Sequence, residues 1–227
     1  SVCAVSFAQT EYEVPIPFEL APFAGEFLLP NGDRFIVSEH ESSLTIAAQG
    51  EKAVGILLYG DTFQNGWLWV FQQFNKRAHN SMNNLITEGM PAFRADLDPS
   101  LGVDSSNEIA QAWMSYVEMV GKPRSASILG SVPDSEGVSV YVSIEFQRTN
   151  LTWKISYSLN RMIESFVPVE ETHPIKVVLV PVSHSKFVGT AVDNRSDITV
   201  EYEYKSDGSP GNLKFVGEDH SVVAERV

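Results

Sequence analysis

A single cysteine, Cys3, stands in 227 residues, so no disulfide can close within the chain. A chain without disulfides fits a reducing compartment, and it equally fits the many exported bacterial proteins that do without them. Basic residues are also scarce: 16 Lys and Arg face 29 Asp and Glu, for a formal net charge of −13. Such a surface is repelled by nucleic acid and by anionic lipid, so neither is an expected partner. No apolar run is long enough to span a bilayer. Gly121, Gly130 and Gly137 are isolated, and no glycine-rich phosphate loop occurs. The histidines (His40, His79, His173, His184 and His220) never fall at His-x-His or His-x-x-x-His spacing. No metal site and no cofactor is therefore expected. There is no internal repeat and no low-complexity run.

What is present reads as a folded protein. A hydrophobic content of 43% with 20% charged residues argues against disorder. The first residues, Ser1 to Thr10, are similar to the tail of a signal peptide, with Ser6-Phe7-Ala8 as a small-x-small cleavage site before Gln9. Export to the periplasm or the cell exterior is the expectation. Pro15, Pro17 and Pro22 make residues 11–22 an extended lead-in.

The clearest physics lies between Ser105 and Pro168. Ser105-Ser106-Asn107-Glu108 spells a capping box. Ile109, Ala112, Trp113, Tyr116, Val117 and Val120 follow at helical spacing, and Gly121 and Pro123 end the helix. Val138, Val140, Val142, Ile144 and Phe146 then alternate with polar residues, as do Leu151, Trp153, Ile155, Tyr157 and Leu159. A two-residue turn at Thr149-Asn150 would pair Phe146 with Trp153, Ile144 with Ile155 and Val142 with Tyr157.

Around this unit the order is β-rich, α+β, then β-rich. Phe23 to Tyr59 reads as a meander of short strands, with Asn31-Gly32 as a hairpin turn and Ala53–Tyr59 as its last strand. After Gly60-Asp61 the period changes, and Trp67, Val70, Phe71, Phe74, Ala78, Met82, Leu85 and Ile86 mark a long helix. Residues 92–104 read as a loop. Past Glu170–Pro174 the chain alternates again at Lys176–Val182, Lys186–Val192, Ile198–Tyr204, Leu213–Val216 and Ser221–Arg226. The expected division is a lead-in at 1–22, an antiparallel β-domain from 23–60 with 170–227, and an inserted α+β domain at 61–169. Asn150-Leu151-Thr152 and Asn194-Arg195-Ser196 fit the glycosylation sequon, which is without meaning in a bacterial host.

Phe23-Ala24-Gly25-Glu26-Phe27 with Leu29-Pro30-Asn31-Gly32 resembles the start of the β-domain that trails many bacterial serine beta-lactamase-like hydrolases. Leu179–Val182, Lys186-Phe187, Ile198–Tyr202, Asp207-Gly208, Leu213–Phe215 and Ala224–Val227 resemble its end. The middle is similar to the nuclear-transport-factor-like or cystatin-like α+β cone. The resemblance implies helices on a curved antiparallel sheet, inserted in or flanked by a small β-domain built from both chain ends. It also implies a non-catalytic tail, because the family's catalytic motifs are absent. Ser183-His184-Ser185-Lys186 matches Ser-x-x-Lys in spacing, but it sits in a turn where a helix start is needed.

The expected function is thus a non-catalytic accessory or binding protein, or such a domain of a longer hydrolase. Its partner would be a protein or an apolar small molecule held by Trp67, Trp113, Trp153 and Tyr157, although large aromatics at these spacings most often fill a core. The alternative is a small cavity enzyme, isomerase- or dehydratase-like, with Asp96, His79, Tyr116 and Tyr157 as its acid–base groups.

Overall fold

The computed structural model describes residues 19–59, 65–134, 137–170, 173–190, 197–217 and 221–227. The leader-like residues 1–10 with Cys3, most of the extended lead-in, the period change at Gly60-Asp61 and the Asn194-Arg195-Ser196 sequon lie outside those residues.

Strands β1 (Gly25–Leu28), β2 (Arg34–His40) and β3 (Ser43–Gln49) open the chain as a meander. At the β1–β2 turn Gly32 takes a φ of 88° and donates its N–H to Leu29 O at 2.9 Å, a backbone conformation that glycine adopts without strain. Among the described residues four α-helices follow: α1 (Glu51–Tyr59), α2 (Asn65–Thr87), α3 (Met90–Arg94) and α4 (Gly102–Val120). Then come β4 (Pro123–Pro133), β5 (Gly137–Phe146), β6 (Asn150–Ser158) and β7 (Ile163–Val169). The last strands are β8 (Lys176–Pro181), β9 (Lys186–Thr190), β10 (Asp197–Tyr204), β11 (Pro210–Val216) and β12 (Ser221–Arg226).

These strands make two bodies of different kind. Eight of them close into an antiparallel barrel in the order β1-β12-β11-β10-β9-β8-β3-β2. Closure comes from two long-range pairings, Phe27 with Arg226 and Leu44 with Leu179. A barrel of this strand number has an interior that side chains can fill. Here it holds Phe27, Phe35, Leu44, Ile46, Leu179, Phe187, Val200, Tyr202, Leu213 and Phe215, all buried. Phe23, in a 3-10 turn before β1, packs edge-on against Phe187 and Tyr202 at 5.1 and 4.9 Å. Arg226 donates to the carbonyls of Pro22, Ala24 and Pro210 and so ties that turn to the barrel.

The other four strands form a meander sheet, β4-β5-β6-β7. One face carries Val138, Val140, Val142, Ile144, Phe146, Trp153, Ile155 and Tyr157, all buried. Helices α2 and α4 cover it: Phe74 of α2 meets Tyr157 at 5.6 Å, and Trp113 of α4 meets Trp153 at 5.4 Å. Barrel and sheet share one hydrophobic core.

The expected fold class is overturned. The protein is mostly β, and its strands make a closed eight-stranded antiparallel barrel plus a four-stranded sheet. It is not a cystatin-like α+β cone with a small β-domain attached. Two local readings contributed. Residues 53–59 alternate poorly and belong to α1, whose Ala53 to Leu58 are buried all round, as befits a helix enclosed on every side. The strands from both chain ends, expected as a small antiparallel β-domain, close on themselves, and joining their outer edges removes the exposed hydrogen-bonding groups of an open sheet.

Two further expectations shift. The β5–β6 hairpin turns at Gln147-Arg148, with Phe146 N donating to Thr149 O at 2.8 Å. Its register pairs Val142 with Trp153, Val140 with Ile155 and Val138 with Tyr157. The partner of each residue has moved by four positions from the expected pairing, an even slip that leaves Val138 to Phe146 and Leu151 to Tyr157 on their expected faces, whereas Leu159 lies beyond the end of β6 and is exposed. The turn is held by α4: Arg148 N–H donates to Val120 O at 3.2 Å, and Arg148 Nη1 donates to Met119 O at 2.8 Å. Helix α4 itself begins at Gly102, so Ser105 and Glu108 lie inside it and form no capping box; its N-cap is Leu101.

Candidate functional site

Among the sequence-derived acid–base candidates the structure brings Asp96 and Tyr157 into one cluster. Asp96 follows α3 in a loop stitched to β7: Ile163 N donates to Asp96 O at 2.9 Å, and Asp98 N donates to Ile163 O at 2.8 Å. Helix α2 presents Arg77 and Ser81, four residues apart and so on one face. Arg77 Nη2 donates to Asp96 Oδ1 at 3.3 Å, and Ser81 Oγ donates to Asp96 Oδ2 at 2.6 Å. Arg77 Nη2 also lies 3.7 Å from Met162 Sδ. Tyr157 enters from β6, 1% exposed. Burial pushes its phenol well above the ordinary tyrosine range, and the Asp96 carboxylate adds to this. The Tyr157 hydroxyl lies near Ser81, yet it makes no hydrogen bond of good geometry. Both oxygens of Asp96 are thus engaged by α2. The cluster fastens that helix to the loop before α4.

Of the remaining candidates, His79 stands apart, whereas Tyr116, Trp113 and Trp153 meet in the core under α4. His79 is exposed on α2, with its Nε2 3.0 Å from Asn83 Nδ2. Tyr116 sits half-buried on α4, edge-on to Trp153 at 5.2 Å. Trp113 and Trp153 are buried and meet Phe166 at 5.6 and 4.3 Å. Trp69 is 58% exposed, whereas the side chain of Trp67 lies outside the described residues. At Ser183–Lys186 the chain turns between β8 and β9, and Lys186 Nζ reaches Glu201 Oε1 at 3.7 Å. Among the described residues no group of three or more His, Cys, Asp or Glu is placed to hold a metal ion.

A larger opening lies on the outside of the barrel. Strand pairing sets Ile36, Ala47 and Lys176 side by side on β2, β3 and β8, with Ser38 and Thr45 in the next row. Together with Glu39, His40, Glu170 and His173 they line a cleft of about 400 Å³. Its lining is mixed: Ile36, Thr45 and Ala47 offer apolar surface, while Glu39, Glu170 and Lys176 offer charge. His173 Nδ1 lies 3.0 Å from Gln49 Nε2. An amide nitrogen can only donate, so Nδ1 accepts and the ring proton sits on Nε2. Desolvation lowers the His173 pKa and favours the neutral ring. The sequence offers none of these residues as a binding residue, and His40 and His173 enter it only as histidines without metal-ligand spacing. The one available signal was the alternation of Ser38, His40 and Thr45 with the buried Val37, Leu44 and Ile46, which marks them as outward-facing.

No protein-family model, curated protein or solved structure matches the chain. The fold defines an antiparallel barrel joined to a helix-covered meander sheet, and among the described residues no helix is long and apolar enough to cross a membrane.

Proposed function

We propose that this chain is a non-catalytic binding module, exported and accessory to a partner, as its likeness to the tail of beta-lactamase-like hydrolases suggests. The observation that carries this reading is the outer barrel cleft, whose roughly 400 Å³ falls within the ordinary range of ligand sites. The acid–base candidates support it too, because Asp96 is engaged by Arg77 and Ser81 in a contact that ties α2 to its loop. The cleft suits a ligand, or a partner's side chain, with a short apolar body and a cationic head. Glu39 and Glu170 outnumber Lys176, the neutral His173 adds no charge, and the chain's formal −13 draws cations toward it.

The test is a titration of isotope-labelled protein with short peptides that place one Lys or Arg beside an apolar residue. Amide signals of Ile36, Ala47 and Lys176 should shift in a saturable way. Joint Glu39→Gln and Glu170→Gln replacement should weaken binding by about tenfold or more, the scale of one lost charge interaction. Tighter binding of acidic peptides than of basic ones, or shifts scattered over the barrel, would sink the reading.

A further inference from the structure

A second, smaller pocket lies where barrel and sheet meet. Helix α1 leaves the end of β3, and its first residue, Glu51, lines this pocket with Asn75 of α2 and Ser131 of β4. The space is about 10 Å³. That is close to the minimum that admits one water molecule and too little for a hydrated ion. Val54, Leu58 and Phe71 complete the wall.

Each of the three polar residues that line this pocket carries a buried polar atom without a partner. Glu51 Oε1, Asn75 Oδ1 and Ser131 Oγ are each buried, and none makes a hydrogen bond within the protein. Ser131 as a whole is only 2% exposed. An orphaned buried polar atom is costly because it gives up its bonds to water, so three such residues around one pocket call for a common ligand. The donor inventory selects it. A carboxylate oxygen and an amide oxygen only accept, whereas a serine hydroxyl can donate. A ligand that donates twice and accepts once satisfies all three, and water does so at the size available. Hard cations need six or more oxygens, or near-octahedral coordination, and three protein oxygens in a water-sized space do not supply it.

We infer that the Glu51–Asn75–Ser131 pocket binds one internal water, which donates to Glu51 and Asn75 and accepts from Ser131. This water bridges α1, α2 and β4, the elements that join the barrel to the sheet. The site is separate from the outer cleft and does not depend on the binding function proposed there.

The experiment is a high-resolution crystal structure of the full chain, grown with and without rubidium, together with water–amide cross-relaxation in solution. One peak within hydrogen-bond distance of all three atoms, without anomalous signal, supports the inference. So does a water cross-peak at the Ser131 amide that disappears in Ser131→Val, where the added methyl groups fill the space. Ser131→Ala is the second variant should Ser131→Val not fold, and it should keep the peak on two partners. An anomalous rubidium peak would make the pocket a cation site and overturn the inference. A dry pocket with the Glu51 carboxyl bonded directly to Asn75 would overturn it as well.

Discussion

Asp33 reaches from the β1–β2 turn to the start of α1, where its Oδ2 accepts from the backbone N–H groups of Lys52 and Ala53 at 2.6 and 3.2 Å. It occupies the role of an N-cap without being the residue before the helix. The first N–H groups of a helix have no partner inside it, and a carboxylate there also meets the positive end of the helix dipole. Asp33→Ala should cost about 1 kcal/mol in urea unfolding, and Asp33→Asn should recover most of that. Gly50, just before α1, has a φ of 93°, and a side-chain carbon there would press on the Asp33 carboxylate. Gly50→Ala should therefore destabilise more than Asp33→Ala. Equal effects would show that the cap, not the backbone, dominates this junction.

Trp153 and Phe166 stack with ring centres 4.3 Å apart, beneath Trp113 and Tyr116. The Trp153 ring is completely buried, and its Nε1 finds no acceptor. Trp153→Ala should cost about 3–5 kcal/mol, the usual loss for a large core ring. Trp153→Phe should cost markedly less, because the smaller ring keeps the stack and removes the orphaned donor. Thermal unfolding with near-ultraviolet circular dichroism reads both. Similar losses for the two variants would mean that volume alone governs this core.

The same residues show how far the sequence could be read. Alternation identified the buried faces of β5 and β6 from Val138 to Phe146 and from Trp153 to Tyr157, since a slip by an even number of residues, here four, preserves every face. It could not find the turn, which is set by Arg148 bonding to the end of α4. Helix α1 was taken for a strand because its run from Ala53 to Leu58 is apolar throughout, and a fully buried helix and a buried strand look alike over so short a span. Its cap lies on Asp33, 19 positions before Lys52, so no local signal announced it. Asp96 was picked out, but its partners Arg77 and Ser81 were not, although their four-residue spacing on a helix was legible. The outer cleft was out of reach: its two sides join through Gln49 and His173, 124 positions apart.

Glu51 should make stability depend on pH near the acid end. Its burial raises the carboxyl pKa and the neighbouring Asp33 carboxylate adds to this, while a hydrogen bond from Gln72 offsets part of it. A carboxyl whose folded pKa lies above its unfolded value binds protons more tightly when folded. Its contribution is then complete below the unfolded value, about 4.3, and is lost as pH rises through the folded one. Glu51→Gln should thus stabilise the protein at pH 7 relative to its effect at pH 4. Denaturant midpoints at the two pH values give the difference, and a larger gain at pH 4 would reverse the assignment.

Tyr157 and Tyr202 are the alkaline counterpart. Burial raises both phenols well above their ordinary range, opposed at Tyr202 by the Arg226 charge and at Tyr157 by Ser81 and the Arg77 charge. A phenol with a raised folded pKa contributes stability that is intact below the unfolded value, about 10, and drains away as pH climbs beyond it. The wild-type unfolding midpoint should fall steeply above about pH 10, and replacing both residues by Phe should flatten that fall. At neutral pH the single variants should part company. Tyr202 donates to Phe23 O at 3.0 Å, so Tyr202→Phe should cost roughly 0.5–1.5 kcal/mol. The Tyr157 hydroxyl is buried without a hydrogen bond, so Tyr157→Phe should be neutral or stabilising. A loss at Tyr157 as large as that at Tyr202 would mean that its hydroxyl is bonded in solution, through Ser81 or a water, and that the Asp96 cluster extends across β6.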